Sequence, residues 1–221
     1  MELFHSLGPQ SKCLERILSR KPSKSLKRSN AKRKPKPKIT FICEGKNSEP
    51  HYFQALRRHL EWTLVDIVTV PGVGVPSTIH KRAVAEKKKN NTGDSFTDRD
   101  QYWAIFDRDE HPCYYTAQAS CKKDDIELGI SNPCFEVWLI LHLQDYDKPD
   151  GRHEVQKLFN ELTGVTDSKA KSFAYDDIAK NFADAVSRSE RQYRRREEEK
   201  DKNLSPPYTT LHKLKSISDI S

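Results

Sequence analysis

Three acidic residues follow apolar runs that read as strands. Glu44 follows Ile39-Thr40-Phe41-Ile42-Cys43, and Asp107 and Asp109 follow Tyr102-Trp103-Ala104-Ile105-Phe106. Residues two apart in extended backbone face the same way, so Asp107 and Asp109 can aim at one point. If the two strands are neighbours, all three carboxylates meet at one edge of a sheet. Carboxylates that close repel one another and coexist only around a cation or with some of them protonated. Oxygen-only ligands select hard cations, so Mg²⁺ or Mn²⁺ is the expected metal. Such an ion polarises a phosphodiester and stabilises its leaving oxygen. An Asp-x-Asp turn by itself is equally at home in a polar loop. Its weight comes from Glu44 standing at the end of a second apolar strand.

The elements that would position these groups can be read along the chain. Neither apolar run shows polar alternation, so both read as strands covered on two faces. After the first, Gly45 serves a turn, and Asn47 or Ser48 can cap a helix that begins at Glu49-Pro50. Tyr52, Phe53, Leu56 and Leu60 give that helix its buried stripe. Further strands are expected at 65–70 and 126–131, and further helices at 77–89, 114–123 and 134–143. Strands alternating with helices predict an α/β fold, a mostly parallel sheet flanked by helices, with ligands at the carboxyl ends of the strands. Past Asp150 helices dominate: 153–163, 175–187 and a charged helix at 189–203, read as a solvated face with internal ion pairs.

Other residues border the acidic group. Glu49 is either an acid supporting the site or a helix N-terminal charge. Glu136, in the first turn of the helix after Asn132-Pro133, holds a second metal or caps that helix. Asn132 orients a ligand or makes an Asx turn. Arg108 and His111 could steady a scissile phosphate, although Arg108 could equally neutralise its flanking aspartates. Lys46 could contact phosphate. Gly72 to Pro76 lacks the third glycine of a dinucleotide loop, and Gly45 to Ser48 lacks the Walker spacing. Trp103, Trp138 and His142 read as core.

Three segments carry a resemblance. They are Glu44-Gly45-Lys46-Asn47-Ser48-Glu49-Pro50-His51-Tyr52-Phe53, then Phe106-Asp107-Arg108-Asp109, then Ser131-Asn132-Pro133-Cys134-Phe135-Glu136-Val137-Trp138. Glu after the first strand and Asp-x-Asp after a later one resemble the Toprim fold. More closely, the three segments in this order resemble the RloB-like family, over roughly residues 38–165. The resemblance implies a Toprim-type, metal-dependent nuclease-like protein of a prokaryotic antiviral defence locus. It also implies an ATPase partner of the RloA-like or ABC/SMC class. Under it Glu44 is the candidate general base or first metal ligand, and Asp107 and Asp109 are the candidate Mg²⁺ ligands.

Composition bounds these readings. The 221 residues suffice for one domain with appendages, or two small ones. With 35% hydrophobic and 32% charged residues, part of the chain is expected to be unpacked tail or solvated helix. No apolar run approaches the ~20 residues of a membrane span, and Met1 to Gln10 does not read as a signal peptide. Five cysteines without a C-x-x-C pair fit reduced thiols in a cytoplasm. Residues 1–38 hold twelve Lys/Arg and two Glu, whereas the remainder of the chain is slightly acidic. The expected organisation is a basic flexible arm at 1–37, a Toprim-like domain at 38–165 and a helical extension at 166–221. The reading is a metal-dependent phosphodiesterase acting on DNA or RNA. The alternatives are a non-catalytic partner or sensor beside an ATPase, and nucleotidyl transfer.

If the arm binds nucleic-acid backbone, deleting residues 1–37 will leave the melting temperature unchanged. It will also flatten the dependence of nucleic-acid affinity on salt. An unchanged slope of log affinity against log salt, measured by fluorescence anisotropy, would refute that role.

Overall fold

Ile39–Cys43 (β1) is buried at every position, and its side chains alternate between two cores. Ile39, Phe41 and Cys43 join one apolar cluster, and Ile42 joins another. The same division runs through Gln101–Asp107 (β3). Trp103 and Ile105 face the first cluster, and Tyr102, Ala104 and Phe106 face the second. A strand whose two faces are both covered needs apolar residues throughout, which is why these runs lack polar alternation. The structure, a computed structural model, describes residues 37–69, 75–90, 99–108, 112–164, 175–199 and 205–218. The basic arm, Asp109 and His111 lie outside them.

The sheet has five strands in the order β2-β1-β3-β4-β5. Val65–Thr69 (β2) and Glu127–Asn132 (β4) complete a parallel set with β1 and β3, and Tyr208–Thr209 (β5) runs antiparallel to β4. Ser48–His59 (α1) packs its Tyr52, Phe53 and Leu56 on the first face. Pro76–Asn90 (α2) and Tyr114–Lys123 (α3) cover the second face through Ile79, Ala83, Tyr114 and Cys121. The chain passes from β1 to β2 on one side of β1 and returns to β3 on the other. That reversal opens a crevice between the carboxyl ends of β1 and β3.

Glu136–Leu143 (α4), Arg152–Thr163 (α5), Tyr175–Ala179 (α6) and Phe182–Glu198 (α7) all join the first cluster. So do Leu211 and Leu214 of the 3₁₀ turn Leu211–Leu214 and Ile217 of Lys215–Ser218 (α8). Residues on either side of position 165 therefore share one core. Among the described residues no helix is long and apolar enough to cross a membrane, and the four described cysteines are free thiols.

The charged helix keeps the expected solvated face, with Arg191, Arg194, Arg195, Glu197 and Glu198 exposed, but it also has a buried one. The break falls at Lys180-Asn181, and α7 runs unbroken from Phe182 to Glu198 with Ser189, Gln192 and Arg196 buried. The donors of these side chains reach backbone carbonyls, while Gln192 Oε1 is buried without a partner. Ser189 Oγ donates to the Thr209 carbonyl (3.0 Å), Gln192 Nε2 to the Tyr146 carbonyl (2.7 Å) and Arg196 Nε to the Pro207 carbonyl (3.3 Å). A polar stripe that caps main-chain groups is as buried as an apolar one.

His142 is 1% exposed. Its Nδ1 faces the Trp138 carbonyl at 2.8 Å and its Nε2 faces the Tyr52 hydroxyl at 3.0 Å. A carbonyl can only accept, so Nδ1 carries the proton and Nε2 accepts from Tyr52. Burial pushes this imidazole down to about 3 from 6.5. Below pH 6.5 the unfolded chain takes up a proton that the folded state refuses. This contribution therefore lowers stability as pH falls from 6.5 toward 3 and vanishes above 6.5. The expected outcome is a shallower loss of stability with acid in His142→Gln than in wild type. Urea unfolding at pH 4, 5, 6 and 7 would check it, and parallel slopes would refute it.

Candidate functional site

Parallel pairing aligns Cys43 of β1 with Ile105 of β3, so both strands run out at one edge. The Glu44 N–H extends the ladder by donating to the Ile105 carbonyl (3.1 Å). The Asp107 N–H in turn points at Glu44 Oε2, 3.4 Å away. Two of the three expected carboxylate positions thus adjoin, because β1 and β3 are neighbours. Pairing of β3 with β4 sets Asp107 opposite Ser131, and the Arg108 N–H donates to the Ser131 carbonyl (2.8 Å). Asn132, buried at the end of β4, therefore reaches the same edge.

Glu49 arrives from α1. The loop after β1 folds back so that the Gly45 N–H donates to Glu49 Oε1 (3.1 Å). A Cβ on Gly45 would stand 1.9 Å from Glu49 Oε2. Gly164 is the positive-φ glycine among the described residues, so Gly45 is required for room and not for turn geometry. Glu136 opens α4 and is half-buried. Burial pushes the Cys134 thiol up, and Glu136 beside it adds to the rise.

The electrostatics show a shared field. Burial raises the Glu49 carboxyl above its ordinary range, and Glu136 adds to the rise. The Gly45 N–H and Arg152 oppose it. Burial lifts Asp107 well above its ordinary range, with Glu49, Glu136 and Glu44 adding to the effect. Arg152 opposes this shift too. Its Nη2 lies 3.1 Å from Asp107 Oδ2, with the arginine side chain 36% exposed and the aspartate 14%. The same nitrogen reaches the Pro133 carbonyl at 3.5 Å.

Arg152 is the residue that sequence reasoning missed. Nothing in Gly151-Arg152-His153 marks it, and its contact depends on how α5 packs. Arg108 packs beside α3. Its guanidinium stands 5.5 Å from the centre of the Tyr114 ring and donates to the Tyr115 hydroxyl (3.2 Å). Lys46 is exposed on the loop after β1. Asp109 and His111 fall outside the described residues. Among the described residues, no group of three or more His, Cys, Asp or Glu stands ready to hold a metal ion. Trp103, Trp138 and His142 are core, as the sequence suggested.

A family model described as RloB-like protein matches residues 39–216. The chain belongs to the RloB-like family. No curated protein and no solved structure matches it. The RloB-like span opens at β1 and closes within α8. It takes in Glu44, Glu49, Asp107, Asn132, Glu136 and Arg152, and also the C-terminal segments that complete the core.

A side chain at Gly45 must displace the Glu49 carboxylate, which is the end of a flexible chain, so the backbone need not move. Gly45→Ala should therefore destabilise by about 1 kcal/mol, the worth of one hydrogen bond. The loss should disappear in a Glu49→Ala background, where no carboxylate is left to displace. Additive losses in the double-mutant cycle would show that Gly45 serves the backbone instead.

Proposed function

We propose that this RloB-like protein is a metal-dependent, Toprim-type nuclease that hydrolyses phosphodiester bonds of DNA or RNA in a prokaryotic antiviral defence system. One observation carries the reading. The ends of β1 and β3 bring Glu44 and Asp107 together, with the Asp107 N–H 3.4 Å from Glu44 Oε2, and burial, helped by Glu49, Glu136 and Glu44, raises Asp107 well above the ordinary carboxyl range. A cation there would relieve the repulsion.

The donor chemistry suits a hard ion, because Glu44 and Asp107 offer only oxygen. These two would hold it, with Asp109 as the further ligand proposed from sequence and Glu136 the candidate for a second ion. When bound, Mg²⁺ or Mn²⁺ polarises the phosphodiester and stabilises the leaving oxygen. Glu44 is the candidate base that takes the proton of an attacking water. Lys46, Arg108 and His111 remain candidates for the nucleic-acid backbone, and Asn132 and Glu49 support the edge from beneath. The reading places the protein in the cytoplasm, acting with an ATPase of the RloA-like or ABC/SMC class.

A second reading is a non-catalytic metal- or nucleic-acid-binding subunit working beside that ATPase. It is favoured by the ion pair between Asp107 and Arg152, which already gives one carboxylate of the edge a countercharge.

The experiment is a cleavage panel: plasmid, single-stranded DNA and total tRNA in Mg²⁺ or Mn²⁺, with wild type, Glu44→Ala and Asp107→Ala. Cleavage by the wild type alone is expected. Millimolar metal should also raise the melting temperature of the wild type and not that of Asp107→Asn. Cleavage surviving both alanine variants would overturn the site. A metal-induced shift without cleavage, even with the ATPase added, would favour the second reading.

A further inference from the structure

We infer that the groove beside α3 is a track for single-stranded nucleic acid leading to the acidic edge, with Tyr115 as its base-stacking platform and Lys122 and Lys213 as its phosphate contacts. The inference rests on the nucleic-acid reading above and adds to it which form of substrate the site accepts.

α3 has two faces. Tyr114, Ala117 and Cys121 are its buried positions. Tyr115, Gln118, Ala119 and Lys122, spaced i, i+3, i+4 and i+7, share another face and line a groove of about 540 Å³. β5 pairs with β4 at Ser131 and Asn132, so the groove lies beside the first half of β4. Ile126 and Leu128 line it there, and the 3₁₀ turn adds Lys213.

Tyr115 is 55% exposed, and it is the aromatic one among the exposed large hydrophobics of the described residues. Tyr114, which packs in the second cluster, is 4% exposed. Exposure here does not mean a loose ring. The Tyr115 hydroxyl accepts from Arg108 Nη2 (3.2 Å), and its ring meets the Tyr114 ring edge-on with 5.1 Å between centres. Arg108 directly follows Asp107, so the ring is anchored beside the acidic edge. An exposed ring already fixed by its neighbours loses little freedom when a flat ligand stacks on it.

The rest of the lining selects the ligand. Lys122 and Lys213 are exposed and share the groove with Asp125 and Glu127. Lys87 Nζ lies 3.1 Å from Asp125 Oδ2 and meets that charge. Glu127 is then the acid set against two lysines, and the lining is net positive. A positive groove with an aromatic platform binds single strands without reading their sequence. In a duplex the bases are paired and stacked on one another, so their faces are closed to Tyr115. A strand that stacks on Tyr115 lies next to Arg108 and Asp107, where the proposed hydrolysis takes place.

The test needs no turnover. Binding to the full chain is measured by fluorescence anisotropy in EDTA. The probes are labelled oligothymidylate and oligouridylate, a duplex of the same length, and an abasic single strand of that length. Tyr115→Ala is expected to weaken binding of the two base-bearing single strands about tenfold, within the worth of one stacked base. It should leave the duplex and the abasic strand unchanged. Tyr115→Phe and Tyr115→Trp, which keep a ring, should stay near wild type. Lys122→Gln combined with Lys213→Gln should lower the slope of log affinity against log salt for a single strand by about 1.4, two phosphates at about 0.7 each. If Tyr115→Ala weakens every probe equally, or none, the stacking role is overturned, as it is if Tyr115→Phe binds as weakly as Tyr115→Ala. An unchanged salt slope overturns the phosphate contacts. If the wild type binds none of the probes, the nucleic-acid reading itself falls, and this inference with it.

Discussion

Glu44, Glu49 and Glu136 all act on Asp107, and burial denies Glu49 and Asp107 the water that would screen the repulsion. The rest of the site follows from that constraint. A folded chain tolerates the crowding only if it supplies donors and positive charge. This chain does so with the Gly45 N–H on Glu49, the Asp107 N–H on Glu44 and the Arg152 guanidinium on Asp107. Burial still holds Asp107 well above the ordinary carboxyl range in spite of them.

The topology creates the crowding. Adjacent strands lie about 4.8 Å apart, so residues one or two past the ends of neighbouring parallel strands are forced together. β2 and β3 flank β1 on opposite sides. With β3 placed beyond β2 instead, a whole strand would separate Glu44 from Asp107.

Much of this could be read from residue types. The uninterrupted apolar runs at 39–43 and 102–106 mark central strands, and the observed elements begin and end within a residue or two of the expected ones through α5. What could not be read depends on partners distant in sequence. Arg152 is an ordinary arginine at a helix start until α5 brings it to Asp107. Ser189, Gln192 and Arg196 look solvent-facing because they are polar. They are buried because Thr209, Tyr146 and Pro207 present carbonyls to them. A strand of two residues, Tyr208–Thr209, is too short to leave a periodic pattern. Gly45 suggests a turn when the local chain is considered alone. Its actual reason, the carboxylate of Glu49, comes from a helix that has not yet begun.

The polar helix α7 joins these threads. Its arginines fasten Asp145 and Asp147, and its Gln192 fastens the Tyr146 carbonyl, in the stretch that leads into Arg152. On its other flank, Ser189 and Arg196 fasten the strand that pairs with Ser131 and Asn132 at the acidic edge. One helix thus braces both the cation that faces Asp107 and the strand end beside it. The family match supports the same view, since it runs on through α7 and β5 to residue 216 and does not stop where the parallel strands end.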